Sequence, residues 1–143
     1  MGNYLIDTEK FRTLSYKLLD EIKQNGHTYQ AVLCPLRGGF YLSYFMSKHL
    51  KLPMRYLEIS SYTGQKQGEF FIGLKPDLSQ GKFLLCDDIF DSGNTIRKIL
   101  EIYEGIDFDV AFLLSKSPEP HDNYYIGEYI DKNLWVDFYW EIM

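Results

Sequence analysis

Nine consecutive residues, Asp87-Asp88-Ile89-Phe90-Asp91-Ser92-Gly93-Asn94-Thr95, carry the densest chemistry in this 143-residue chain. Adjacent carboxylates can hold sugar hydroxyls or Mg²⁺, a hard ion that takes oxygen ligands. The Ser-Gly-Asn-Thr turn that follows can aim backbone N–H groups and two hydroxyls at an anion, and Gly93 lets that anion come close. Simple helix capping by Ser92 or Thr95 is the plainer alternative. Three aspartates behind an apolar strand, with a Gly-bearing turn after them, favour a cradle for a phosphorylated sugar and its metal. Arg37-Gly38-Gly39 is a second candidate, because a guanidinium beside bare backbone N–H groups suits pyrophosphate. The same three residues would also make an ordinary strand-to-helix turn. Ser115-Lys116 is the third polar element. GxGxxG and the Walker lysine motif are absent, which argues against ordinary NAD binding and P-loop ATP hydrolysis. DDIFD also fits the DDxxD pattern of helical isoprenoid synthases, but here the carboxylates follow a strand.

Elements must exist to bring these groups together. Asp7 or Thr8 is placed to cap a helix carrying Phe11, Leu14, Leu18, Leu19 and Ile22 at helical spacing, closed by Gly26. Ala31–Cys34 reads as a buried strand ended by Pro35. A second helix carries Tyr41, Leu42, Phe45, Met46 and Leu50. Further strands are expected over Met54–Ile59, Phe70–Leu74, Lys82–Cys86 and Val110–Leu114, with a helix over Thr95–Tyr103. Ser61 to Gly68 is a polar loop, long enough to suggest a functional role. Strands alternate with helices and several strands are apolar on both faces. The expected fold class is therefore α/β: a mostly parallel central sheet flanked by helices. Ligands of such sheets bind beyond the carboxyl ends of the strands, which is where all three polar elements fall.

The chain reads as a single domain, a core over about 1–116 and a small aromatic, acidic C-terminal hood over about 117–143. The hood carries 7 aromatic residues, 6 acidic residues and 1 basic residue, whereas residues 1–116 balance 14 acidic against 14 basic. A net charge of −5 without a basic stripe speaks against nucleic-acid binding. No apolar run is long enough to span a bilayer, so no integral membrane segment is expected. The N-terminus lacks a basic patch ahead of an apolar stretch, so the cytoplasm is the expected compartment. Cys34 and Cys86 lie in apolar runs and read as buried small hydrophobes.

LLCDDIFDSGNT resembles the phosphoribosyl pyrophosphate (PRPP) signature of type I phosphoribosyltransferases. LRGG resembles their pyrophosphate loop, and Ser61-Tyr62 opens what looks like their flexible catalytic loop. Within that family the chain is most similar to the short bacterial xanthine-guanine phosphoribosyltransferases, through Ser60-Ser61-Tyr62, Lys116 and the Trp135/Trp140 pair. The resemblance implies purine salvage: a 6-oxopurine (guanine, xanthine or hypoxanthine) and PRPP give a nucleoside monophosphate and pyrophosphate. It implies Mg²⁺ as cofactor, with Asp88 placing the metal, and Asp87 and Asp88 holding the ribose hydroxyls. Asp91, Ser92, Gly93, Asn94 and Thr95 would cradle the 5′-phosphate, and Asp91 would serve as general base to the purine. Arg37 and Gly38 would bind pyrophosphate, with a non-proline cis peptide at Leu36-Arg37. Lys116 would donate to the 6-oxo group, Trp135 would stack on the base, and the Val136 carbonyl would meet a 2-amino group. Trp140 reads as hood packing. Asn94 departs from the glycine common in the family. A homo-oligomer, dimer or tetramer, is also implied. The alternatives are a regulator of the same fold that binds nucleic acid, and an enzyme that takes a pyrimidine.

Overall fold

Leu33 and Leu85 face one side of a sheet, while their neighbours Val32, Leu84 and Cys86 face the other. This two-sided burial shapes the molecule. The computed structural model describes residues 2–61, 69–118 and 121–142. In chain order these form β1 (Asn3–Ile6), α1 (Thr8–Gln24), β2 (Val32–Leu36), α2 (Phe40–Leu50), β3 (Met54–Ser61), β4 (Phe70–Ile72), β5 (Lys82–Phe90), α3 (Asn94–Ile102), β6 (Asp107–Ser115), β7 (Tyr124–Tyr129) and β8 (Trp135–Phe138).

The main sheet runs β4-β3-β2-β5-β6-β7. All its neighbours are parallel except the β3/β4 pair at one edge. Leu14, Leu18, Leu19 and Ile22 of α1, with Leu42 and Met46 of α2, cover the Val32, Leu84 and Cys86 face. Ile96 and Ile99 of α3 cover the Leu33, Leu85 and Phe112 face. Each such side chain contributes about 1.5–3 kcal/mol on burial, so the apolar spacing of the helices and the unbroken apolar runs of the strands select one another. Asp7 caps α1, its side chain accepting from the Lys10 N–H at 2.8 Å. The helix closes at Asn25, ahead of Gly26 at φ +73°. Cys34 and Cys86 are free and buried, and burial pushes the Cys34 thiol up to about 11.

Four expectations are corrected. Pro35 does not end its strand: β2 runs through it to Leu36, paired with β3 to Glu58. A proline is tolerated here because β2 pairs with β5 only at Val32 and Leu33. The Leu84 N–H donates to the Ala31 carbonyl, so in that register residue 35 would donate to the Cys86 carbonyl. The Ser43 hydroxyl takes over, donating to the Cys86 carbonyl at 3.0 Å. Second, β5 does not stop at Cys86 but continues through both aspartates to Phe90, held by pairing with β6 up to Phe90↔Ser115. Third, Ser61 is not in a loop; it ends β3 opposite Phe70. The rest of that loop, Tyr62 and Lys66 included, lies outside the described residues.

The fourth correction concerns the tail. β7 joins the main sheet as its edge, parallel to β6, with Ile126 and Gly127 buried. A Cβ at Gly127 would collide with the Leu113 carbonyl, so the glycine lets the edge strand seat closely. The hood is instead a two-stranded parallel ribbon made from both ends of the chain, Asn3↔Trp135 through Ile6↔Phe138. Among the described residues no helix is long and apolar enough to cross a membrane.

Candidate active site

The strand order reverses direction between β2 and β5: the chain leaves β2 toward β3 on one side and later returns as β5 on the other. Such a switch point opens a crevice at the carboxyl ends. Here it opens where Pro35 breaks the β2/β5 ladder. The peptide Leu36-Arg37 is cis. Gly39 then starts α2 so close to the sheet that a Cβ there would lie 2.6 Å from the Pro35 carbonyl oxygen and 2.7 Å from that of Cys86. A Cβ on Gly38 would lie 2.6 Å from Asp88 Oδ2. Gly39 is thus demanded by close backbone approach, and Gly38 lies against the Asp88 carboxylate.

Asp87 and Asp88 are half-buried on consecutive positions of β5. The Asp88 N–H donates to Asp87 Oδ1 at 2.9 Å, and the Ile89 N–H donates to Asp88 Oδ1 at 2.8 Å. Burial, and then the neighbouring charge of Asp88, push the Asp87 carboxyl well above the ordinary range. Burial also raises that of Asp88, with the charge of Glu141 adding to it. Glu141 shares a cavity of about 620 Å³ with Leu36, Arg37, Gly38, Phe40, Tyr41 and Trp140. Among the described residues neither Asp87 nor Asp88 has an ion-pair partner, and carboxylates so placed beside a cleft have a standing affinity for a cation or for hydroxyl donors.

Beyond β5 the chain bends around a second cavity, about 200 Å³, lined from Asp87 through Ile96 with Phe112. Gly93 is buried at φ +83° and begins α3 with no side-chain cap. The N-cap position is Gly93, which has no side chain to cap the helix, and Ser92 serves the helix start from one residue earlier. Ser92 Oγ accepts from the Asn94 N–H at 3.3 Å. Apart from that of Asn94, the N–H groups that open α3 face no side-chain acceptor among the described residues and can serve an anion.

Asp91 and Lys116 meet across the strand ends. The Lys116 Nζ lies 3.9 Å from Asp91 Oδ2; the lysine side chain is 14% exposed and the aspartate 69%. The β5/β6 register dictates this, since the Lys116 N–H donates to the Phe90 carbonyl at 2.8 Å. The hood spans the same edge. Residues 130–133 share a cavity of about 350 Å³ with Lys116, while Trp140 and Glu141 stand over Arg37. Trp140 is stacked on Tyr41 at 4.2 Å and packs edge-on against Phe11, so it anchors the hood. Trp135, between these anchors in sequence, is 67% exposed, whereas Val136 is half-buried against the core. The Trp135 indole N–H donates to Asp137 Oδ1 at 3.1 Å, and Asn3 Nδ2 donates to the other oxygen at 3.1 Å.

The structure thus gathers Asp87, Asp88, Asp91, Ser92, Gly93, Asn94 and Thr95 around one cavity, sets Gly38, next to Arg37, against Asp88, and sets Lys116 against Asp91. Trp135 and Val136 lie in β8 of the hood. Tyr62 lies outside the described residues. Sequence reasoning missed Glu141 and Tyr41. Helical spacing gives Tyr41 only a packing role on its helix, and no local pattern reveals that the last turn of the hood sets Glu141 beside Asp88. Among the described residues no three His, Cys, Asp or Glu side chains are grouped as a ready-made metal cluster.

The phosphoribosyl transferase domain family model matches residues 5–132. Among solved structures, the xanthine-guanine-hypoxanthine phosphoribosyltransferase of Helicobacter pylori is similar at 27% identity, over 99% of this chain and 95% of that one, with a TM-score of 0.81. A protein of Neisseria gonorrhoeae crystallised with bound ppGpp shares the fold at 21% identity, 99% and 90% coverage and a TM-score of 0.77. A purine phosphoribosyltransferase from Pyrococcus horikoshii shares it at 19% identity, 98% and 95% coverage and a TM-score of 0.77. With the family match covering most of the chain, and the paired aspartates, Gly-bearing turn and glycine-lined loop all at one switch point, this chain belongs to the phosphoribosyl transferase family.

Proposed function

We propose that this protein is a cytoplasmic purine-salvage enzyme that joins a 6-oxopurine to PRPP, releasing a nucleoside monophosphate and pyrophosphate. The observation that carries the reading is the 3.9 Å approach of Lys116 Nζ to Asp91 beside the carboxylate-lined phosphate turn. A fixed donor and a carboxylate acceptor at that spacing suit the 6-oxo group and the imidazole edge of one purine. Adenine would set its exocyclic amine against the ammonium, donor against donor. The likeness to the Helicobacter pylori enzyme, whose bases are xanthine, guanine and hypoxanthine, supports the same class of acceptor.

In the reaction, the bond from the anomeric carbon to pyrophosphate breaks and a bond to a purine imidazole nitrogen forms. The bond forms at the imidazole nitrogen remote from the 6-oxo group, N9, and Asp91 takes the proton lost from the nitrogen beside the oxo group, N7. Asp87 and Asp88 accept from the ribose hydroxyls. The turn from Asp91 to Thr95 holds the 5′-phosphate through N–H groups and hydroxyls. Arg37 and the Gly38 N–H meet the pyrophosphate, Trp135 stacks on the base, and the Val136 carbonyl accepts from a 2-amino group. The Asp88 carboxylate beside the Gly38 backbone, with the Glu141 charge nearby, is an oxygen donor set suited to Mg²⁺. An ion held there by Asp88 would supply positive charge to the leaving pyrophosphate. A homo-oligomer fits the exposed Tyr16 and Tyr44 on the outer face of α1 and α2.

Pyrophosphate release from PRPP with guanine, xanthine or hypoxanthine in turn, followed with and without EDTA, tests this. Release that needs both the base and a free divalent ion is the expected result. Release without base, or none at all, would contradict it.

A further inference from the structure

The turn between β5 and α3 carries a guanidinium that the proposed reaction does not use. Arg97 Nη2 donates to the Ser92 carbonyl at 3.0 Å and to Asn94 Oδ1 at 2.6 Å. A Cβ at Gly93 would lie 2.7 Å from Arg97 Nη1 and 2.9 Å from the Phe90 ring, so both groups pack close on this glycine. One planar group therefore grips residues 92, 93 and 94 from one side. Among the described residues Arg97 has no carboxylate at ion-pair distance.

That placement runs against local electrostatics. The first turn of a helix is the positive end of its dipole and disfavours a cation. Arg97 sits there with its charge uncompensated, beside a turn that already has no side-chain cap. A phosphate dianion bound by the turn would reverse the balance. It would also face Asp87, Asp88 and Asp91 across the crevice, so a positive charge behind the turn offsets their repulsion.

We infer that Arg97, with Asn94 as its acceptor, is a positioning residue for the phosphate turn. It holds the Ser92 carbonyl and the Asn94 side chain on the outer face, so that the N–H groups of residues 93 and 95 turn inward. Asn94 serves the turn itself: its N–H donates to Ser92 Oγ and its side chain serves Arg97. The departure from glycine at position 94 is the second half of this clamp. Preorganised donors bind a charged group without reordering, which is where the affinity comes from. The inference rests on the phosphoribosyltransferase reading, since that reading puts a phosphate in the turn.

A double-mutant cycle tests it. Wild type, Arg97→Ala, Asn94→Ala and the double variant are titrated calorimetrically with guanosine monophosphate, with guanosine, and with PRPP plus Mg²⁺. Thermal melts check folding, and Arg97→Lys is a milder variant should Arg97→Ala fold poorly. Arg97→Ala is expected to weaken both phosphate-bearing ligands about tenfold, the loss of a charged hydrogen bond. Guanosine affinity stays within about twofold, and kcat at saturating PRPP within about threefold. Once Asn94 is removed, Arg97→Ala costs clearly less. Arg97→Lys restores only part of the loss, because one ammonium cannot hold two acceptors in a plane. Equal losses on guanosine and its monophosphate, additive losses in the cycle, or unchanged phosphate affinity would each overturn the inference. A wild type that binds these phosphate ligands but forms no product would sink the proposed reaction and leave the clamp standing. A wild type that binds neither would sink both.

Discussion

Asp87 and Asp88 lie side by side, half-buried, and both carboxyls are raised by burial and by neighbouring negative charge. A carboxyl raised on folding stabilises the fold only at low pH, and that contribution is lost as pH climbs from the ordinary carboxylate value through the raised one. Asp88→Asn removes the charge while its side-chain oxygen can still accept from the Ile89 N–H. The variant should therefore be more stable than wild type by on the order of 1 kcal/mol at pH 8, with little gain near pH 4. It should also lose most of its PRPP affinity. Denaturant unfolding at the two pH values checks this, and a gain independent of pH would contradict it. Asp91 predicts a different pattern. Asp91→Asn should lower kcat by about 10²–10³ with the KM for PRPP nearly unchanged, because a general base acts mainly in the transition state. Lys116→Ala should lower kcat/KM for hypoxanthine about 10–100-fold, the loss of a charged hydrogen bond, and leave PRPP binding intact. Steady-state kinetics with each substrate varied in turn separates the two roles.

At the scale of elements, the crevice depends on how β2 and β5 part. Pro35 withholds a ladder bond and Ser43 supplies the missing donor to the Cys86 carbonyl. Ser43→Ala should cost about 1–3 kcal/mol, the price of a buried carbonyl left without a partner, with little effect on ligand affinity. Gly38→Ala should do the reverse. Its Cβ would press on the Asp88 carboxylate, an adjustable side chain, so activity falls while the melting temperature barely moves. A matched loss of stability in both variants would argue against this division of labour. The three polar strand ends and the α/β alternation were legible in the sequence because buried parallel strands read as unbroken apolar runs. The extent of β5 was not legible. Asp87 and Asp88 look like a strand terminus, and only the partner edge of β6 keeps them extended. Pro35 misled for a related reason: proline breaks a strand where a ladder bond is needed, and whether one is needed depends on the neighbouring strand.

Over the whole molecule, both chain ends build the hood, and this was the least legible feature. β1 is four residues long and finds its partner β8 across nearly the full sequence. No local pattern encodes such a pairing. The Tyr4 hydroxyl donates to Glu128 of β7, and Lys10 of α1 lies 3.5 Å from the same carboxylate, so hood, sheet edge and first helix are tied at one point. At the opposite end of the sheet, buried Asp109 accepts from the Tyr29 hydroxyl at 2.5 Å, faces His27 Nδ1 at 2.7 Å, and lies 3.2 Å from Lys82. Burial pushes this carboxyl up, but the hydrogen bonds from Tyr29, His27 and Lys82 outweigh it and leave it below the ordinary range. A carboxyl lowered on folding stabilises above its unfolded pKa, and that stability is lost as pH falls through the folded value. Asp109→Ala should cost about 3 kcal/mol at pH 7, and the deficit should shrink steadily below pH 4. A deficit that does not change with pH would show that Asp109 acts by packing alone.

The central claim is that one crevice holds PRPP at the aspartate turn and a 6-oxopurine between Asp91, Lys116 and Trp135. The most direct measurement supplies PRPP and Mg²⁺ with guanine, xanthine, hypoxanthine, adenine, uracil and orotate in separate reactions, and detects monophosphate products by mass spectrometry. The account predicts product from one or more of the three 6-oxopurines and from none of the others. Product from a pyrimidine or from adenine, or no product from any base, would contradict it.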